Sequence, residues 1–460
     1  MRDHTESDLT VQTTSGPAHG FLDRGTPNWR GVPYGRIERR FRPPVPAEPA
    51  GRITAHHWGP VSWQLPIQLG TTWALVPLDD VEDEQCLNLN IWSTGSPRDE
   101  PRPVLVWLHA GGRVYGSGRT WVDPWHLAAR QGAVVVTANY RLGPWGWLYL
   151  GGHDPAFKDS ANLAILDQVL LLRWVRENIA GFGGDPANVT LFGMSSGGSD
   201  VATLLATPSA RGLFHQAAVY SGNAEAPIPR EEAVRFAGEF LAAAGPLAST
   251  PEDLVRLPNA GLRHIHRKLL EQGATVRYGP VVDGDVLPEQ PLDAIGAPRG
   301  TGGPDVPVLV SVTSDEAGLY AGFGEAAVDR TYDMLVGGDP SLDQDEKIRR
   351  ISRTCFWEPA DRLVRAVHRS GGSVWAQEFA YAPTTSHFAR TNPHLASRPV
   401  HGTDTAALFA DPEGTDGTAA DRIVAAREQD ALMALARHGR PRWEPWTPQR
   451  PVTHRIAAPR

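Results

Sequence analysis

A strand-turn-helix pattern near the middle of the chain constrains the fold more than any other feature. The apolar run Val189–Phe192 is followed directly by Gly193–Gly197, which reads Gly-Met-Ser-Ser-Gly and opens a stretch of small residues suited to a helix. So sharp a turn exposes its serine only if the residues two before and two after it lack bulk. Glycine stands at both positions, so the pattern predicts an exposed, reactive Ser195.

A second motif lies upstream and supports the first. The apolar run Pro103–Leu108 leads into His109-Ala110-Gly111-Gly112, a Gly-rich turn that can aim backbone N–H groups at a developing negative charge. A Gly-x-Ser-x-Gly string alone can arise by chance in a chain rich in glycine and serine. Here two independent motifs occur in the expected order, with the strand and Gly-rich turn before the serine turn. Their joint occurrence argues against coincidence.

Further segments follow one another along the chain in a recognisable order: Arg30–Tyr34, Arg40-Phe41, Glu84–Trp92, Asn139–Gly143, Leu166–Gln168, Arg173–Val175, Glu177–Ile179 and Phe182–Pro186. In identity and spacing they resemble the signature segments of the type-B carboxylesterases, the α/β-hydrolase branch that includes cholinesterases and bacterial p-nitrobenzyl esterases. The resemblance implies an α/β fold with a central, mostly parallel, twisted sheet flanked by helices. It also implies one domain over residues 1–460, with helical cap regions at approximately 225–275 and 320–370 over the active site.

Apolar periodicity places several elements. Continuous apolar runs predict buried strands, and helical spacing predicts a helix over Ala161–Ile179. The predicted strands are Val104–Leu108, Ala133–Thr137, Ala217–Tyr220, Val306–Val312 and Val374–Tyr381. The Pro-rich tail from Arg440 is expected to wrap the surface.

A serine nucleophile needs a base, and the base needs a carboxylate that fixes its tautomer and offsets its charge. The resemblance assigns these roles to His401, in a His-Gly-x-Asp loop, and to Glu316, which follows a predicted strand. The plainer alternatives are a loop histidine that caps a turn and a carboxylate that opens a helix, with Asp315 as the local rival for the acid. The order Ser195, Glu316, His401 is that of α/β-hydrolases.

The oxyanion formed by serine attack needs preset N–H donors. The expected donors are the backbone amides of Gly111, Gly112 and Ser196. His109 is expected to hold this Gly-rich turn in place rather than to act in the chemistry.

Some positions depart from the family pattern. Met194 replaces the usual glutamate before the nucleophile, and Arg113 replaces an aromatic residue after the glycines. Both changes make the cleft more positive, so substrates with an acidic group are hypothesised; alternatively, Arg113 pairs with a nearby acid and Met194 simply packs. Trp121 and Trp145 are expected to line an apolar entrance, with ordinary core packing as the alternative.

The resemblance also assigns scaffold roles. It implies buried salt bridges between Arg40 and Glu84 and between Arg141 and Asp167, and a hydrogen-bonding role for Ser221 near the catalytic residues. The cysteine equivalent to Cys86 is paired in some relatives, but serine stands where its partner would fall, so Cys86 and Cys355 are expected to be free thiols.

Composition limits the partners. The formal net charge of -8 gives no basic footprint for nucleic acid, and no stretch approaches a membrane span of about 20 apolar residues. A polar N-terminal segment and two cysteines make cytoplasmic residence the expectation. No metal or organic cofactor is expected, and the chain is expected to be a monomer or homodimer that acts on a small-molecule ester.

The predicted function is a serine carboxylesterase that hydrolyses carboxylic esters through an acyl-enzyme. A biosynthetic enzyme that uses the same site for acyl transfer, lactone formation or cyclisation is the alternative, because a fold does not fix a function. A non-catalytic binding protein of this superfamily is disfavoured because all three candidate catalytic residues are present.

Overall fold

A ten-stranded sheet forms the centre of the molecule. The computed structural model describes residues 9–64, 68–69, 72–73, 80–95, 100–120, 122–225, 227–271, 278–300, 304–414 and 417–459. The strands of the sheet, in chain order, are β1 Phe21–Asp23, β2 Thr26–Pro33, β3 Asn88–Trp92, β4 Arg102–Leu108, β5 Val134–Ala138, β6 Gly184–Met194, β7 Gln216–Tyr220, β8 Val308–Thr313, β9 Val374–Ala380 and β10 Thr453–Ala457.

The strand order across the sheet is β10-β9-β8-β7-β6-β4-β5-β3-β2-β1. Strands β4 to β10 pair in parallel, whereas β1, β2 and β3 pair antiparallel at one edge. All residues of β5 and the last five of β4 are buried, as expected for apolar strands covered on both faces. The sheet is therefore the mostly parallel α/β sheet that the resemblance implied.

Helices connect and cover the strands. They are α1 Trp125–Ala129, α2 Gly143–Trp147, α3 Leu163–Asn178, α4 Ser196–Ala206, α5 Arg230–Ala244, α6 Pro251–Arg256, α7 Asn259–Glu271, α8 Pro291–Gly296, α9 Gly318–Ala321, α10 Glu325–Leu335, α11 Gln344–Ser352, α12 Glu358–Arg369, α13 His387–Thr391, α14 Thr403–Leu408 and α15 Ala419–His438. A π-helical turn, Arg353–Trp357, joins α11 to α12. None of these described helices is long and apolar enough to cross a membrane.

Short elements complete the description. Turns of 3-10 helix lie at Pro155–Ser160, Ile179–Phe182, Pro208–Ala210, Gly245–Leu247 and Pro393–Leu395. Two-residue strands form three small sheets: Thr10–Val11, Ala18–His19 and Ile53–Thr54; Gly35–Arg36 and Val45–Pro46; Gln68–Leu69 and Thr72–Trp73.

The predicted strands and the Ala161–Ile179 helix are confirmed to within two residues at each end. The expectation for the tail beyond Arg440 is wrong in part. Residues Thr453–Ala457 form β10, which extends the sheet in parallel register with β9 and buries Ile456 fully. A Thr-His-Arg-Ile-Ala strand has no apolar run because only one of its residues enters the core.

The carboxyl ends of the central strands carry the candidate site. Parallel strands bring these ends to one edge of the sheet, where open α/β sheets bind ligands. Ser195 follows β6, Ser221 follows β7, Glu316 lies three residues after β8, and the Gly-rich turn follows β4. Four segments that are far apart in sequence therefore meet at one edge.

Candidate active site

Ser195 lies at the turn between β6 and α4 with a strained backbone. Its φ of 57° and ψ of -123° lie outside the usual regions for a residue with a side chain. Such a conformation costs on the order of 1–3 kcal/mol and persists only where the surroundings enforce it. Here the Ser195 N–H donates to the Tyr220 carbonyl at 2.8 Å, and the Ser195 carbonyl accepts from Ser199 N–H at 2.9 Å.

The two glycines that flank this turn are required by close backbone contacts. A Cβ at Gly193 would lie 2.6 Å from the backbone of Gly197, and a Cβ at Gly197 would lie 2.2 Å from the Leu108 carbonyl oxygen. No side chain fits at either distance. Glycine is therefore required at both positions, as the sequence pattern predicted.

Glu316 is fully buried, and each of its carboxylate oxygens is hydrogen-bonded. Oε1 accepts from the Ser221 hydroxyl and from the Thr313 N–H, both at 2.7 Å. Oε2 accepts from His401 Nδ1, also at 2.7 Å. The rival acid, Asp315, is instead paired with Arg398, whose Nη2 donates to it at 3.1 Å. The expected hydrogen-bonding role of Ser221 is thus present as a direct contact with Glu316.

The pKa of His401 shows what this carboxylate does. Burial lowers the pKa, but the hydrogen bond and charge of Glu316, with a smaller contribution from Asp404, leave it above the ordinary value. His109 gives the contrast, because burial without a carboxylate lowers its pKa to about 4. Of the two imidazoles, therefore, only His401 has a pKa above the ordinary value.

Access to solvent differs between the candidate reactive positions and the candidate acid. Ser195 is half-buried between buried neighbours, and the His401 side chain is 14% exposed, whereas Glu316 is 0% exposed. Within the described residues, the His401 side chain hydrogen-bonds to Glu316, and no hydrogen bond joins it to the Ser195 hydroxyl. The structure therefore brings Glu316 and His401 together directly, and Ser195 is linked to them through Tyr220 and Ser221.

The Gly-rich turn after β4 leaves amides available. Gly111 and Gly112 have φ of 123° and 60°, and a Cβ at Gly111 would lie 2.0 Å from the Tyr115 carbonyl oxygen. In the backbone hydrogen bonds of this turn, the Gly111 carbonyl is an acceptor. Neither the Gly111 N–H nor the Gly112 N–H is a donor in them. Ser196 is the first residue of α4, so its N–H has no intrahelical acceptor.

His109 supports this turn as expected. Its Nδ1 lies 2.8 Å from the Ala110 carbonyl, and its ring stacks on Tyr140 at a centroid distance of 4.4 Å. The Tyr140 hydroxyl donates to the His109 carbonyl at 2.7 Å. These contacts fix the chain directly before the glycines.

Arg113 does not supply an uncompensated positive charge to the cleft. Its side chain is 9% exposed, and its Nε donates at 2.9 Å to Asp200, which is fully buried in α4. The anionic-substrate hypothesis rested on this guanidinium and on Met194 in place of a glutamate, so the ion pair removes one of its two grounds. The alternative, a pair with a nearby acid, is correct; Asp200 could not be recognised as the partner because it lies 87 residues away in sequence.

Met194 and Trp145 are both buried, and their assignment to the substrate pocket stays a prediction. Met194 is 5% exposed and packs with Trp107, Phe192 and Phe409. Trp145 is 3% exposed, and its indole N–H donates to Asn259 at 2.8 Å. Trp121 lies outside the described residues.

A cavity of about 660 Å³ has Met194 and Gly402, the chain neighbours of Ser195 and His401, in its wall. The apolar part of its lining includes Val122, Phe388 and Phe409. Met194 also touches the His401 loop, because its Cε lies 3.1 Å from the position of a Cβ on Gly402. The wall of the cavity therefore includes the residue before Ser195 and the residue after His401.

One contact of His401 was not foreseen. Phe356, in the π-helical turn Arg353–Trp357, packs on the imidazole at a ring-centroid distance of 4.9 Å. The next residue, Trp357, donates its indole N–H to the Thr313 carbonyl at 2.9 Å and so ties the turn to the end of β8. Single-turn π segments often occur at functional sites, but no sequence pattern predicts one here.

The scaffold contacts implied by the resemblance are present. Arg141 Nε donates to Asp167 at 2.8 Å, and Arg40 Nε donates to Glu84 at 3.1 Å. Cys86 and Cys355 are both free, and burial raises the pKa of the Cys86 thiol to about 12. In the described part of the chain, no three His, Cys, Asp or Glu side chains gather where they could hold a metal ion.

Comparisons with known proteins agree with this architecture. The model of the carboxylesterase family matches residues 7–337, a segment that includes Ser195 and Glu316. The para-nitrobenzyl esterase of Bacillus subtilis is 30% identical, over 94% of this chain and 91% of the relative. Carboxylesterase 1E of Rattus norvegicus is 28% identical, over 89% of this chain and 81% of the relative.

Solved structures give the same answer. A PNB esterase superposes with a TM-score of 0.82 at 29% identity, covering 98% of this chain and 96% of that chain. A carboxylesterase of Geobacillus stearothermophilus superposes with a TM-score of 0.80 at 30% identity and the same coverage. Fold, motif order and sequence similarity agree, and the chain belongs to the carboxylesterase family of carboxylic ester hydrolases.

Proposed function

We propose that this enzyme hydrolyses small-molecule carboxylic esters through an acyl-enzyme formed on Ser195. The observation that carries the proposal is the contact between His401 Nδ1 and the fully buried Glu316, at the same sheet edge as the strained Ser195 turn. This contact fixes Nδ1 as the protonated nitrogen and leaves Nε2 free to accept a proton.

In the proposed reaction, His401 Nε2 removes the Ser195 hydroxyl proton as the oxygen attacks the ester carbonyl. The tetrahedral intermediate collapses, and the alcohol leaves with the proton that the imidazole returns. Water then attacks the acyl-enzyme with the same proton transfers, which releases the acid and restores Ser195. The short approach of Ser195 to Nε2 is expected in the substrate complex, since such contacts tighten when substrate binds.

The amides of Gly111, Gly112 and Ser196 are the proposed donors to the oxyanion. Glycine at 111 and 112 allows the positive φ values that turn the N–H groups out of the strand. The amino end of α4 adds the partial positive charge of a helix N-terminus at the same place. Removal of one such donor typically costs about a hundred- to a thousandfold in rate.

The test is hydrolysis of p-nitrophenyl butyrate by the wild type and by Ser195→Ala. The proposal predicts a fast release of nitrophenol stoichiometric with enzyme in the wild type and at least a roughly thousandfold lower turnover in the variant. Turnover by Ser195→Ala at the wild-type rate would contradict it. Product analysis with an added alcohol acceptor separates hydrolysis from the alternative of acyl transfer, which would give mainly the new ester.

A further inference from the structure

The residue that follows the two oxyanion glycines reaches across to the helix that follows the proposed nucleophile. Arg113 Nε donates to Asp200 Oδ1 at 2.9 Å, and Nη2 lies 2.9 Å from the same oxygen. Asp200 lies in α4, four residues after Ser196, so the two share a face of the helix. The ion pair thus connects the two segments that supply the proposed oxyanion donors.

Each partner is held from more than one side. The other carboxylate oxygen of Asp200 accepts from the Gln168 side chain of α3 at 2.8 Å. The Arg113 guanidinium lies over the Trp147 ring at 5.2 Å, and the Arg113 carbonyl accepts from Gly143 N–H at 2.8 Å. Helices α2, α3 and α4 therefore fix one side chain of the Gly-rich turn.

The turn needs such an anchor because its backbone is not in a regular ladder. Gly111, Gly112 and Arg113 have consecutive positive φ values of 123°, 60° and 63°. A residue with a side chain is uncommon at positive φ, and the strain must be offset by contacts elsewhere. The side chain of Arg113 makes those contacts on α4, whereas Gly112 is solvent-exposed and the nearest atom to a Cβ on it would be Val114 Cγ2 at 3.9 Å.

We infer that the Arg113–Asp200 ion pair is a positioning device that holds the amides of Gly111 and Gly112 in register with Ser195 and Ser196. The inference rests on the proposed function and concerns the same site. Neither side chain touches the substrate; the pair acts through the backbone of the turn on one side and through α4 on the other. Because Arg113 belongs to the Gly-rich turn and Asp200 to α4, the buried pair fixes the distance between these two segments. An ion pair within one segment would not do so.

The test compares Arg113→Gln, Asp200→Asn and the double variant with the wild type. Misplacement of catalytic groups by about 1 Å can cost roughly a hundredfold in rate. For each single variant we expect kcat for p-nitrophenyl butyrate to fall about 10- to 100-fold with KM within about twofold. The affinity for an alkyl trifluoromethyl ketone, whose serine adduct carries an oxyanion, should fall by the same factor as kcat. The double variant should lose no more than the worse single variant, because the two residues act as one unit.

The matched control is Glu84→Gln, which removes the charge from another ion pair, Arg40–Glu84, with side-chain exposures of 8% and 21%. It should lower thermal stability but leave kcat per active site within about twofold. Active sites are counted by the end point of fluorophosphonate labelling, so unfolded protein does not contribute. If Asp200→Asn fails to fold, Gln168→Leu loosens only the second carboxylate oxygen and provides the same readouts.

Wild-type kcat and inhibitor affinity in both single variants, an equal loss in Glu84→Gln, or multiplicative losses in the double variant would each overturn the inference. None of these results would affect the proposed function, which still predicts that Ser195→Ala is inactive. Undiminished turnover by Ser195→Ala would instead overturn the proposed function itself.

Discussion

At the scale of single residues, the proposed chemistry depends on how Glu316 is held. The carboxylate accepts from Ser221, Thr313 and His401, each at 2.7 Å, and it has no contact with solvent. A charge in that position fixes the tautomer of His401 and raises its pKa against the effect of burial. The protein therefore sets the basicity of one half-buried imidazole with one fully buried carboxylate.

Replacement of Glu316 by glutamine removes the charge but preserves the shape. We expect kcat to fall about 10³- to 10⁴-fold, because the amide cannot hold the productive tautomer or offset the imidazolium. The pKa of His401 should also fall, since its largest raising contributions come from Glu316. The neutral imidazole is the base, so the acid limb of the pH profile of kcat/KM should move to lower pH. An acid limb that stays at the wild-type pH in Glu316→Gln would count against Glu316 as the partner of His401.

Ser221 offers a milder version of the same test. Ser221→Ala removes one of the two hydrogen bonds to Glu316 Oε1 and leaves that of Thr313. Loss of a buried partner to a charged group costs roughly 1–3 kcal/mol of stability. We expect a drop in the midpoint of thermal unfolding and a loss of about tenfold or less in kcat. A loss as large as that of Glu316→Gln would show that Ser221 has a more direct role.

Sequence patterns predicted residues with a local signature better than residues with distant partners. Ser195 has flanking glycines, and Glu316 and His401 lie in recognisable segments, so their positions were predicted; their catalytic roles stay predictions. Arg113 was noticed as unusual, but its partner Asp200 was not, because the pair forms only when the turn and α4 fold together. The contact of Phe356 with His401 likewise has no local signal.

At the scale of elements, close approach of backbones forms the Ser195 turn. Gly197→Ala would place a Cβ 2.2 Å from the Leu108 carbonyl oxygen, which belongs to another strand and cannot move alone. We expect a loss of about 3 kcal/mol or more in the free energy of unfolding, together with loss of turnover. The matched control is Gly261→Ala in α7, where the Cβ meets ordinary contacts at 3.5 Å. That helical change should stabilise the protein by about 0.5–1 kcal/mol; equal effects would contradict the argument.

The outermost strand is an element that the sequence did not predict. In β10 only Ile456 is fully buried, against Phe379, Ala407 and Val424. Ile456→Ala should therefore lower the free energy of unfolding by about 2–4 kcal/mol in denaturant titrations. Thr453→Ala, at an exposed position of the same strand, should change it by less than about 0.5 kcal/mol. If this segment were only a tail on the surface, neither substitution would change the free energy of unfolding.

Long buried elements were predicted well because their periodicity is strong. Strands β4 and β5 are continuous apolar runs, and α3 has eleven buried residues at helical spacing. Short or edge elements such as β10 and the π-helical turn bury too few side chains to give a period. Pairing partners decide their structure, and the sequence does not identify those partners.

At the scale of the whole molecule, two buried acids behind the site shape the dependence of stability on pH. Burial, and then the charge of Glu316, raise the pKa of Asp404 to about 7. Burial, and then the charge of Asp404, raise the pKa of Glu428 to about 8, although Gln377 donates to both of its oxygens. The folded protein keeps these protons after the unfolded chain has lost them.

The sign of the effect follows from that difference. Where the folded state binds more protons than the unfolded state, the free energy of unfolding falls as pH rises. For Glu428 the fall begins near the ordinary pKa of 4.5 and is complete above about 8. Glu428→Gln cannot lose a proton, so its stability relative to the wild type should be higher at pH 8.5 than at pH 5 by roughly 2–4 kcal/mol. The check is thermal unfolding of both proteins from pH 5 to pH 8.5. A stability difference between variant and wild type that stays constant over this range would refute the account.

Covalent labelling of Ser195 tests the central claim most directly. The wild type and Ser195→Ala are treated with diethyl p-nitrophenyl phosphate, and the modified peptide is identified by mass spectrometry while turnover is followed. We predict one diethylphosphoryl group per chain, located on Ser195, with activity lost in proportion to labelling and no label on the variant. Label on another residue that accompanies the loss of activity, or full activity in a wild type labelled at Ser195, would contradict the account.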